Sequence, residues 1–295
     1  MDILQQVING LALGSVYAII ALGYTMVYGI IGLINFAHGD IYMMGAYFGF
    51  FASTSFGLPF IPTLIVAMIG CAILGMLIEK IAYKPLRNSP KISLLITAIA
   101  VSLLLENGSR LDMIFGPNFR NYPSNLLPAK EIPIVGSLKI NSIYLIIIFV
   151  CIILASLLQF VVYKTKVGKA MRAASQDKDA AELMGINVNN IISVTFAIGS
   201  ALAGAAGVLV GILYSTINPY MGIMPGLKAF VAAVLGGIGI IPGAMFGGII
   251  MGIAETFTKA SPLSSYSDAI AFVILIIILL IKPSGILGKK VNEKV

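Results

Sequence analysis

Residues 34–40 read INFAHGD and interrupt an otherwise strongly apolar sequence. This short run holds the only histidine of the chain, together with an asparagine and an aspartate. It separates an apolar run at about 7–31 from a shorter one at about 41–56. Because apolar runs of about 20 residues can cross a bilayer as helices, INFAHGD marks the break between two predicted membrane segments.

The composition is that of a membrane protein. Of the 295 residues, 59% are hydrophobic and 11% are charged, and the mean hydropathy is +1.00. Soluble domains carry about 25% charged residues, so an ordinary soluble fold is excluded. Lipid cannot hydrogen-bond exposed backbone, and the predicted spans are therefore helices. The chain leaves no room for an enzyme domain outside the membrane.

Apolar segments follow one another along the chain, and most of them approach spanning length. The segments 41–56, 226–241 and 243–258 are short, and the last two are broken by glycine and proline. Such segments usually line a cavity or lie inside protein. The pair 226–241 and 243–258 either both cross or both turn back. We predict one all-α polytopic membrane domain over 1–295, with about 8–9 transmembrane helices. The segments are 7–31, 41–56, 60–82, 92–106, 142–163, 190–215, 226–241, 243–258 and 268–282.

The basic residues fall in three short stretches between apolar runs. Lysine and arginine collect in cytoplasmic loops, so topology explains the net charge of +7 better than nucleic-acid binding does. The rule predicts a cytoplasmic C-terminus, an external N-terminus and an external loop at about 109–141. The basic residues concerned are Lys80, Lys84, Arg87, Lys91, Lys164, Lys166, Lys169, Arg172, Lys178, Lys282, Lys289, Lys290 and Lys294.

No motif for catalysis or for cofactor binding is recognisable. The phosphate-binding G-x-x-x-x-G-K-[ST] loop is absent, and one histidine with two cysteines in apolar runs cannot build a usual zinc site. The sequence contains no recognisable Ser/His/Asp set and no H-E-x-x-H motif. We therefore expect no cofactor, no metal and no catalytic residue, and an intramembrane enzyme is unsupported.

The stretch VGKAMRAASQDKDAAELMGI, residues 167–186, predicts a compact amphipathic cytoplasmic helix. Ser175 or Asp177 can cap a short helix, Asp179 and Glu182 suit its first turn, and Gly185 can end it in a left-handed conformation. The helix could lie on lipid headgroups or dock a soluble partner. Its acidic residues favour docking, because an anionic leaflet repels them. Spacing of three and four residues puts one face together: Ala170, Ala173, Ala174, Asp177, Ala181 and Met184.

Two roles remain open for Asn35, His38 and Asp40. In the first, they satisfy the amides and carbonyls of an unwound backbone, and Asp40 caps a helix that starts near Ile41. In the second, they face a translocation pathway, because ionisable residues inside a membrane are functional suspects. His38 would then permit a proton-linked role, since an unperturbed histidine titrates near neutral pH.

Other candidates lie in the second half of the chain. Its glycines can either pack helices closely or form a flexible pathway wall. Lys228 can extend its charged end towards water from within an apolar segment, and Glu255, at the end of an apolar run, can also reach water. We interpret both as anchors. The glycine pathway candidates are Gly236, Gly237 and Gly239.

The sequence resembles the LivH-type permeases of branched-chain amino acid ABC importers. Residues 4–47, LQQVINGLALGSVYAIIALGYTMVYGIIGLINFAHGDIYMMGAY, are similar to the N-terminal signature of this family. Residues 196–255, from FAIGSALAGAAG to GGIIMGIAE, resemble its C-terminal signature, and KPSGILG closes the last helix in the same way. The family often has glutamate at the position of Asp40. DAAELMG, residues 179–185, is similar to the E-A-A-x-x-x-G pattern that docks ATPases, with aspartate in place of the glutamate.

The resemblance implies a permease subunit of the cytoplasmic (inner) membrane that translocates leucine, isoleucine and valine. It implies a LivM-like permease subunit, two ABC ATPase subunits on the cytoplasmic side and an external amino-acid-binding protein as partners. The coupling segment would span about 164–188. The residues implied in ATPase coupling are Gly168, Arg172, Ala173, Asp179, Ala180, Ala181 and Gly185.

The choice of cargo would fall to the binding protein. We therefore expect pathway walls of small apolar residues rather than a polar pocket. A permease for urea or short amides remains an alternative, because nothing in this chain separates the two kinds of cargo. A stand-alone secondary transporter is a further alternative, although such a carrier has no need of a docking helix.

Overall fold

Helices form most of the structure, a computed structural model that describes residues 3–32, 34–87, 89–135 and 138–288. The helix α3 continues into a π-helical turn (Glu79–Tyr83) and a 3-10 turn (Lys84–Leu86). A second 3-10 turn (Ser264–Tyr266) precedes the last helix. The helices are α1 (Ile3–Ile31), α2 (His38–Phe56), α3 (Phe60–Ile78), α4 (Lys91–Ser109), α5 (Ser142–Lys164), α6 (Lys166–Gln176), α7 (Lys178–Leu183), α8 (Val188–Tyr214), α9 (Ile223–Gly236), α10 (Ile241–Ala260) and α11 (Ser267–Ile281).

Four short strands form two small antiparallel sheets in the described chain. β1 (Arg120–Asn121) pairs with β4 (Thr216–Ile217), and β2 (Glu131–Val135) pairs with β3 (Leu138–Asn141). The first pair ties the loop between α4 and α5 to the segment that follows α8. Since α8 is about 40 Å long, this loop lies at the opposite end of the bundle from α6 and α7.

Seven helical segments of the described chain are long and apolar enough to cross a membrane. They are α1, α3 with its extension, α4, α5, α8, α10 and the segment that ends with α11. Two further helices, α2 and α9, pack among these spans. α9 has only 14 residues, and α2 begins with polar side chains. An all-α polytopic membrane fold, with short segments among longer spans, is therefore confirmed.

The helices divide into inner and outer ones. In α1, 94% of the most apolar 18-residue window is buried inside the protein, against 6% in the window that contains α11. α8 is likewise an inner helix, whereas α4 is mostly exposed. The inner helices carry small residues and pack closely, while the outer ones offer large aliphatic side chains to the surroundings. Lipid contact explains an exposed surface of this kind.

Polar side chains cap the N-termini of several helices. The side chains of Asn141, Thr165, Asp177 and Asn187 accept backbone hydrogen bonds at the starts of α5, α6, α7 and α8. These side chains satisfy amides that have no partner within the helix. The caps at Thr165 and Asp177 divide the predicted docking segment into two helices. The prediction of one continuous helix over 167–186 is therefore wrong.

Candidate functional site

The loop between α1 and α2 is held by Asn35. Its Oδ1 accepts hydrogen bonds from the backbone N–H of Ala37, at 3.1 Å, and from the hydroxyl of Tyr83, at 2.8 Å. The prediction that Asp40 caps a helix starting near Ile41 is wrong, because Asp40 already lies in the first turn of α2. The structural role expected for this loop therefore falls to Asn35.

His38 is packed into the protein core. It is 1% exposed, and its ring lies edge-on to Tyr24 with 4.6 Å between the ring centroids. A Cβ atom at Gly23 would overlap Nε2 of the imidazole, so the helix must have glycine there. Nε2 has no hydrogen-bond partner among the described residues. No hydrogen bond joins His38 to Asp40, and the geometry therefore offers no direct proton relay between them.

Asp40 lines a cavity of about 230 Å³ between α1, α2, α4 and α9. Its carboxylate accepts a hydrogen bond from the hydroxyl of Ser102 in α4. Tyr24 and Ser102, which also line the cavity, lie about two helical turns before the ends of their helices, so the cavity is within the bundle. Among the described residues, no lysine or arginine forms an ion pair with Asp40.

The start of α9 lies at the same cavity. A Cβ atom at Gly222 would be 2.5 Å from the carbonyl oxygen of Gly39 and 3.2 Å from the Cα of Asp40. The two backbones therefore touch at glycines. α9 has no side-chain cap and no acidic residue in its first turn. The remaining walls are largely apolar: Phe36, Ile99, Leu103, Ile223 and Leu227.

The glycine candidates at the α9–α10 corner have different roles. A Cβ atom at Gly236 would overlap the carbonyl oxygen of Gly243, so this position serves close helix packing. Gly237 has φ +107° and lies against the backbone of Gly288, beyond α11. Gly239 has φ +92° and lines a second cavity. Only the last of the three therefore faces open space.

This second cavity, of about 210 Å³, lies where α6 meets α1, α5 and α10. Thr25 and Arg172 line it together with Gly239. The hydroxyl of Thr25 is buried and has no hydrogen-bond partner among the described residues. The cavity therefore lies beside the predicted docking segment.

α6 is fastened to the end of α5. A Cβ atom at Gly168 would overlap the carbonyl oxygens of Val161 and Val162. Arg172 donates a hydrogen bond to the carbonyl of Val162, and its guanidinium lies 5.3 Å from the centroid of the Tyr163 ring. These contacts fix the direction in which α6 leaves the membrane helix.

The helical backbone is interrupted at Asp177, and α7 begins at the next residue. The backbone of Asp177 is extended, and its Oδ1 accepts a hydrogen bond of 3.0 Å from the amide of Ala180. Gly185 has φ +82°, the left-handed conformation that glycine adopts readily. Both capping predictions are thus confirmed.

The implied coupling residues divide between packed and exposed positions. Gly168 and Ala181 are buried, Arg172 and Ala173 are half-buried, and the remaining three are exposed: Asp179, Ala180 and Gly185. Of the predicted face, Ala174 and Ala181 are buried, whereas Met184 is 82% exposed, beside Leu183 at 89%. Two large apolar side chains therefore project from the far end of α7.

A polar cluster beside these helices was missed by the sequence analysis. Glu79 is completely buried and accepts hydrogen bonds from Arg87 and from Ser193 of α8. Arg87 also donates to Asn189, in the first turn of α8. The only indication in the local sequence was that Glu79 lies near the end of an apolar run. Nothing in the sequence indicated its partners, which come from distant parts of the chain.

Lys228 and Glu255, which we interpreted as anchors from the sequence, are buried and form an ion pair. Lys228 is 4% exposed, and its ammonium lies 2.8 Å from Glu255 and 2.6 Å from Asp268. Glu255 also pairs with Lys259 and accepts a hydrogen bond from Tyr17. Both side chains are buried, so the prediction that Lys228 and Glu255 reach water is wrong. The charges form a network that joins α1, α9, α10 and α11.

Comparison with known proteins gives a consistent result over nearly the whole chain. Residues 6–279 match the family described as branched-chain amino acid transport system / permease component. No solved structure matches.

Three relatives illustrate the similarity. The chain is 45% identical to the high-affinity branched-chain amino acid transport system permease protein BraD of Pseudomonas aeruginosa, with 99% of this chain and 98% of that protein covered. It is 44% identical to the corresponding permease protein LivH of Escherichia coli (strain K12), with 99% and 97% covered. It is 32% identical to a probable branched-chain amino acid transport permease protein LivH of Methanocaldococcus jannaschii, with 92% and 88% covered. The chain therefore belongs to the family of permease components of branched-chain amino acid transport systems.

Proposed function

We propose that this chain is the membrane-spanning subunit of an ATP-driven importer that carries leucine, isoleucine and valine across the cytoplasmic membrane. The observation that carries the proposal is α7, a short capped helix that projects Leu183 and Met184 away from a firmly packed base. Family membership and the names of the relatives support the cargo. The chain itself is a transport subunit and has no catalytic role, and separate subunits hydrolyse ATP.

The orientation follows from the positions of the basic residues. Arg87 contacts Asn189 at the start of α8, and Lys178 lies near enough to Arg87 and Lys91 to be influenced by their charges. The first two basic stretches therefore lie at one end of the bundle. The positive-inside rule supports a cytoplasmic assignment for this end. The N-terminus and the 109–141 loop are then external, and the C-terminus is cytoplasmic. Three basic residues of the third stretch lie outside the described residues: Lys289, Lys290 and Lys294.

The α6–α7 segment is the docking site of an ATPase subunit. Exposed apolar side chains cost free energy in water and mark interaction surfaces when they lie together. Leu183 and Met184 are next to each other at the end of the bundle that we assign to the cytoplasm. Arg172 and Gly168 couple the segment rigidly to α5, so a displacement of α7 would be transmitted to the membrane helices.

The full importer needs partners that this chain does not supply. We propose a LivM-like second permease, two ATPase subunits and an external amino-acid-binding protein. The whole chain, 1–295, acts as one membrane domain in this assembly. The cavity at Asp40 and the cavity at Gly239 belong to the pathway, while Asn35, His38, Gly236 and Gly237 hold its walls in place.

Co-purification tests this proposal. The tagged chain is expressed with the neighbouring transport genes, purified in detergent and analysed for ATPase subunits in stoichiometric amount. The parent retains the ATPase. Leu183→Glu combined with Met184→Glu loses it, because two carboxylates replace the apolar contact.

The matched control is Met113→Glu, since Met113 is 96% exposed in the loop at the opposite end. This variant keeps the ATPase. Retention of the ATPase by the α7 double variant would overturn the docking assignment. A chain that purifies alone and transports leucine in liposomes without ATP would overturn the importer itself.

A further inference from the structure

We propose that the second cavity, the one that Gly239 lines between α6 and the membrane helices α1, α5 and α10, binds a phosphate group. The phosphate is held by the guanidinium of Arg172 and the hydroxyl of Thr25, which both line this cavity. It comes from the headgroup of an anionic lipid or from phosphate in solution. The inference goes beyond the proposed function, because this ligand is not the cargo, and its test requires no transport.

The hydroxyl of Thr25 is the first indication of a ligand. Thr25 is 1% exposed, and its hydroxyl has no hydrogen-bond partner among the described residues. A helical hydroxyl often donates to the carbonyl oxygen four residues earlier, and Thr195, Thr256 and Thr258 each do so. Thr25 makes no such bond, although it lies within α1. Because a buried polar group without a partner costs free energy, a ligand oxygen in the cavity would stabilise it.

The guanidinium of Arg172 supplies the positive charge. It donates a hydrogen bond to the carbonyl of Val162, and no aspartate or glutamate of the described chain pairs with it. Arg87, which is also half-buried, pairs with Glu79. A guanidinium carries five N–H donors in a planar fork that matches the oxygens of a phosphate. The positive charge of Arg172 therefore lacks a counter-charge that an anion in the cavity would provide.

The remaining polar groups of the cavity are neutral. Ser175 and Gln176 line it from α6, and none of the lining residues is acidic. A phosphate group has three strong acceptor oxygens, whereas a carboxylate has two, so hydroxyl, amide and guanidinium donors from two helices suit a phosphate better. The cavity volume of about 210 Å³ is several times the roughly 30 Å³ that one water occupies in the liquid. A phosphate group therefore fits.

The position of the cavity suits a lipid headgroup as well as a soluble anion. Thr25 lies six positions before Ile31, the last residue of α1, which is about 9 Å along the helix axis. Tyr163, at the end of α5, lines the cavity and is 46% exposed, as expected at a membrane–water boundary. Basic pockets between helices at the cytoplasmic side bind anionic headgroups. A phosphate here would join α6 to α1 and, in the proposed importer, would narrow the cytoplasmic end of the pathway.

Protection of an introduced cysteine from labelling tests the site. Ser175→Cys places a thiol in the cavity wall, while the native cysteines, Cys71 and Cys151, are buried. The full chain, purified with the subunits that accompany it, is freed of lipid in dodecyl maltoside and labelled with a maleimide in the absence of ATP. We expect sodium phosphate, at concentrations on the order of 10 mM for weak binding, to slow labelling about tenfold relative to sodium chloride of equal ionic strength.

Added lipids separate the two sources of the phosphate group. Phosphatidylglycerol, which is anionic, is compared with phosphatidylcholine, whose phosphate is balanced by its own ammonium group. Protection by phosphatidylglycerol and not by the phosphate salt would assign the site to a headgroup, and protection by the salt alone would assign it to phosphate in solution. Sodium acetate should protect less than sodium phosphate. Protection by acetate as strong as by phosphate would overturn the assignment of the ligand as a phosphate group.

Variants of Thr25 connect the protection to the cavity. Thr25→Val in the Ser175→Cys background removes the hydroxyl and keeps the shape of the side chain. It should reduce protection from about tenfold to about twofold, because one hydrogen bond to a charged group accounts for about tenfold in affinity. Thr25→Ser keeps the hydroxyl and should keep the protection. Arg172→Lys, which retains the charge and loses the planar fork, should also weaken protection and serves should Thr25→Val fold poorly.

Ala180→Cys is the matched control, because Ala180 is exposed on α7 and does not line the cavity. Phosphate should not slow its labelling. Equal labelling of Ser175→Cys in chloride, phosphate and phosphatidylglycerol would overturn the site, and so would equal slowing of Ala180→Cys. Undiminished protection in Thr25→Val would overturn the role of the hydroxyl. All of these outcomes leave the proposed function intact, since co-purification of the ATPase tests it separately.

Discussion

Tyr83 donates a hydrogen bond of 2.8 Å to Oδ1 of Asn35 and so joins the π-helical turn after α3 to the loop before α2. The same oxygen accepts the amide of Ala37. Since Asp40 lies only one turn further along the chain, the bond positions the cavity carboxylate from outside the cavity. Tyr83 also belongs to the same π-helical turn as Glu79, which is linked to α8. A packed path thus runs from α6 and α7, through α8, to the cavity.

Removal of the hydrogen bond between Tyr83 and Asn35 should destabilise the protein measurably. Tyr83→Phe should lower the free energy of unfolding by about 1 kcal/mol, the net value of one hydrogen bond. Asn35→Ala should cost more, because it leaves a buried hydroxyl and a buried amide without their acceptor. Adding Tyr83→Phe to Asn35→Ala should cost little more, since the two residues share the bond. Thermal unfolding in detergent measures all three variants. Tyr266→Phe, at an exposed tyrosine, is the control, and fully additive losses would contradict the pairing.

The pair of Glu79 and Arg87 predicts a larger effect. Glu79 is completely buried, so Arg87→Met would leave a buried carboxylate without its cation, at a cost of about 3–5 kcal/mol. Adding Glu79→Gln should recover much of this stability, because the unpaired charge is then removed. The yield of folded protein and the unfolding temperature report both changes. A double variant no more stable than Arg87→Met would show that the charge is not the cause.

The contact between α2 and α9 predicts a steric effect on transport. Gly222→Ala places a methyl group 2.5 Å from the carbonyl oxygen of Gly39, so α9 must move away from Asp40. We expect leucine uptake by the assembled importer to fall about tenfold or more, since the cavity is built from this contact. Gly108→Ala is the matched change, because a Cβ atom there meets nothing within 4 Å. Uptake by the control should equal that of the parent, and equal losses in both variants would contradict the assignment.

Lys178 at the start of α7 predicts an unusual reactivity. Partial burial, and then the nearby charges of Arg87 and Lys91, hold the pKa of its ammonium below the usual value. A lower pKa leaves more neutral amine at a given pH, so Lys178 should be acylated early by an amine-reactive ester at mildly alkaline pH. Lys91→Gln removes one repelling charge, raises the pKa of Lys178 and should slow its acylation less than about tenfold, because tenfold needs one full pKa unit. Mass spectrometry of partly labelled protein measures this. A faster rate in Lys91→Gln would contradict the electrostatic cause.

The membrane helices could be predicted from the sequence because hydropathy is a local property. Every apolar run became a helix, and the short runs became α2, α9 and α10, although α9 ends at Gly236 and not near residue 241. The caps at Asp177 and Gly185 were also predictable, since a cap depends on residues two to four positions away. The same local reasoning predicted the cap at Asp177 but still treated 167–186 as one helix, because small side chains at helical spacing continue on both sides of that residue.

The sequence by itself determined the fold class, the membrane segments and the helix ends at Asp177 and Gly185, because local hydropathy, charge and helix capping specify them. Only the tertiary structure decided that Asp40 faces a cavity while His38 is buried against Gly23, although the two residues are two positions apart. It also decided that Asn35 receives Tyr83 and that Lys228 pairs with Glu255 and Asp268. These relationships join residues from distant parts of the chain. Their partners are chosen by how the helices pack, and packing depends on close contacts that no local pattern records.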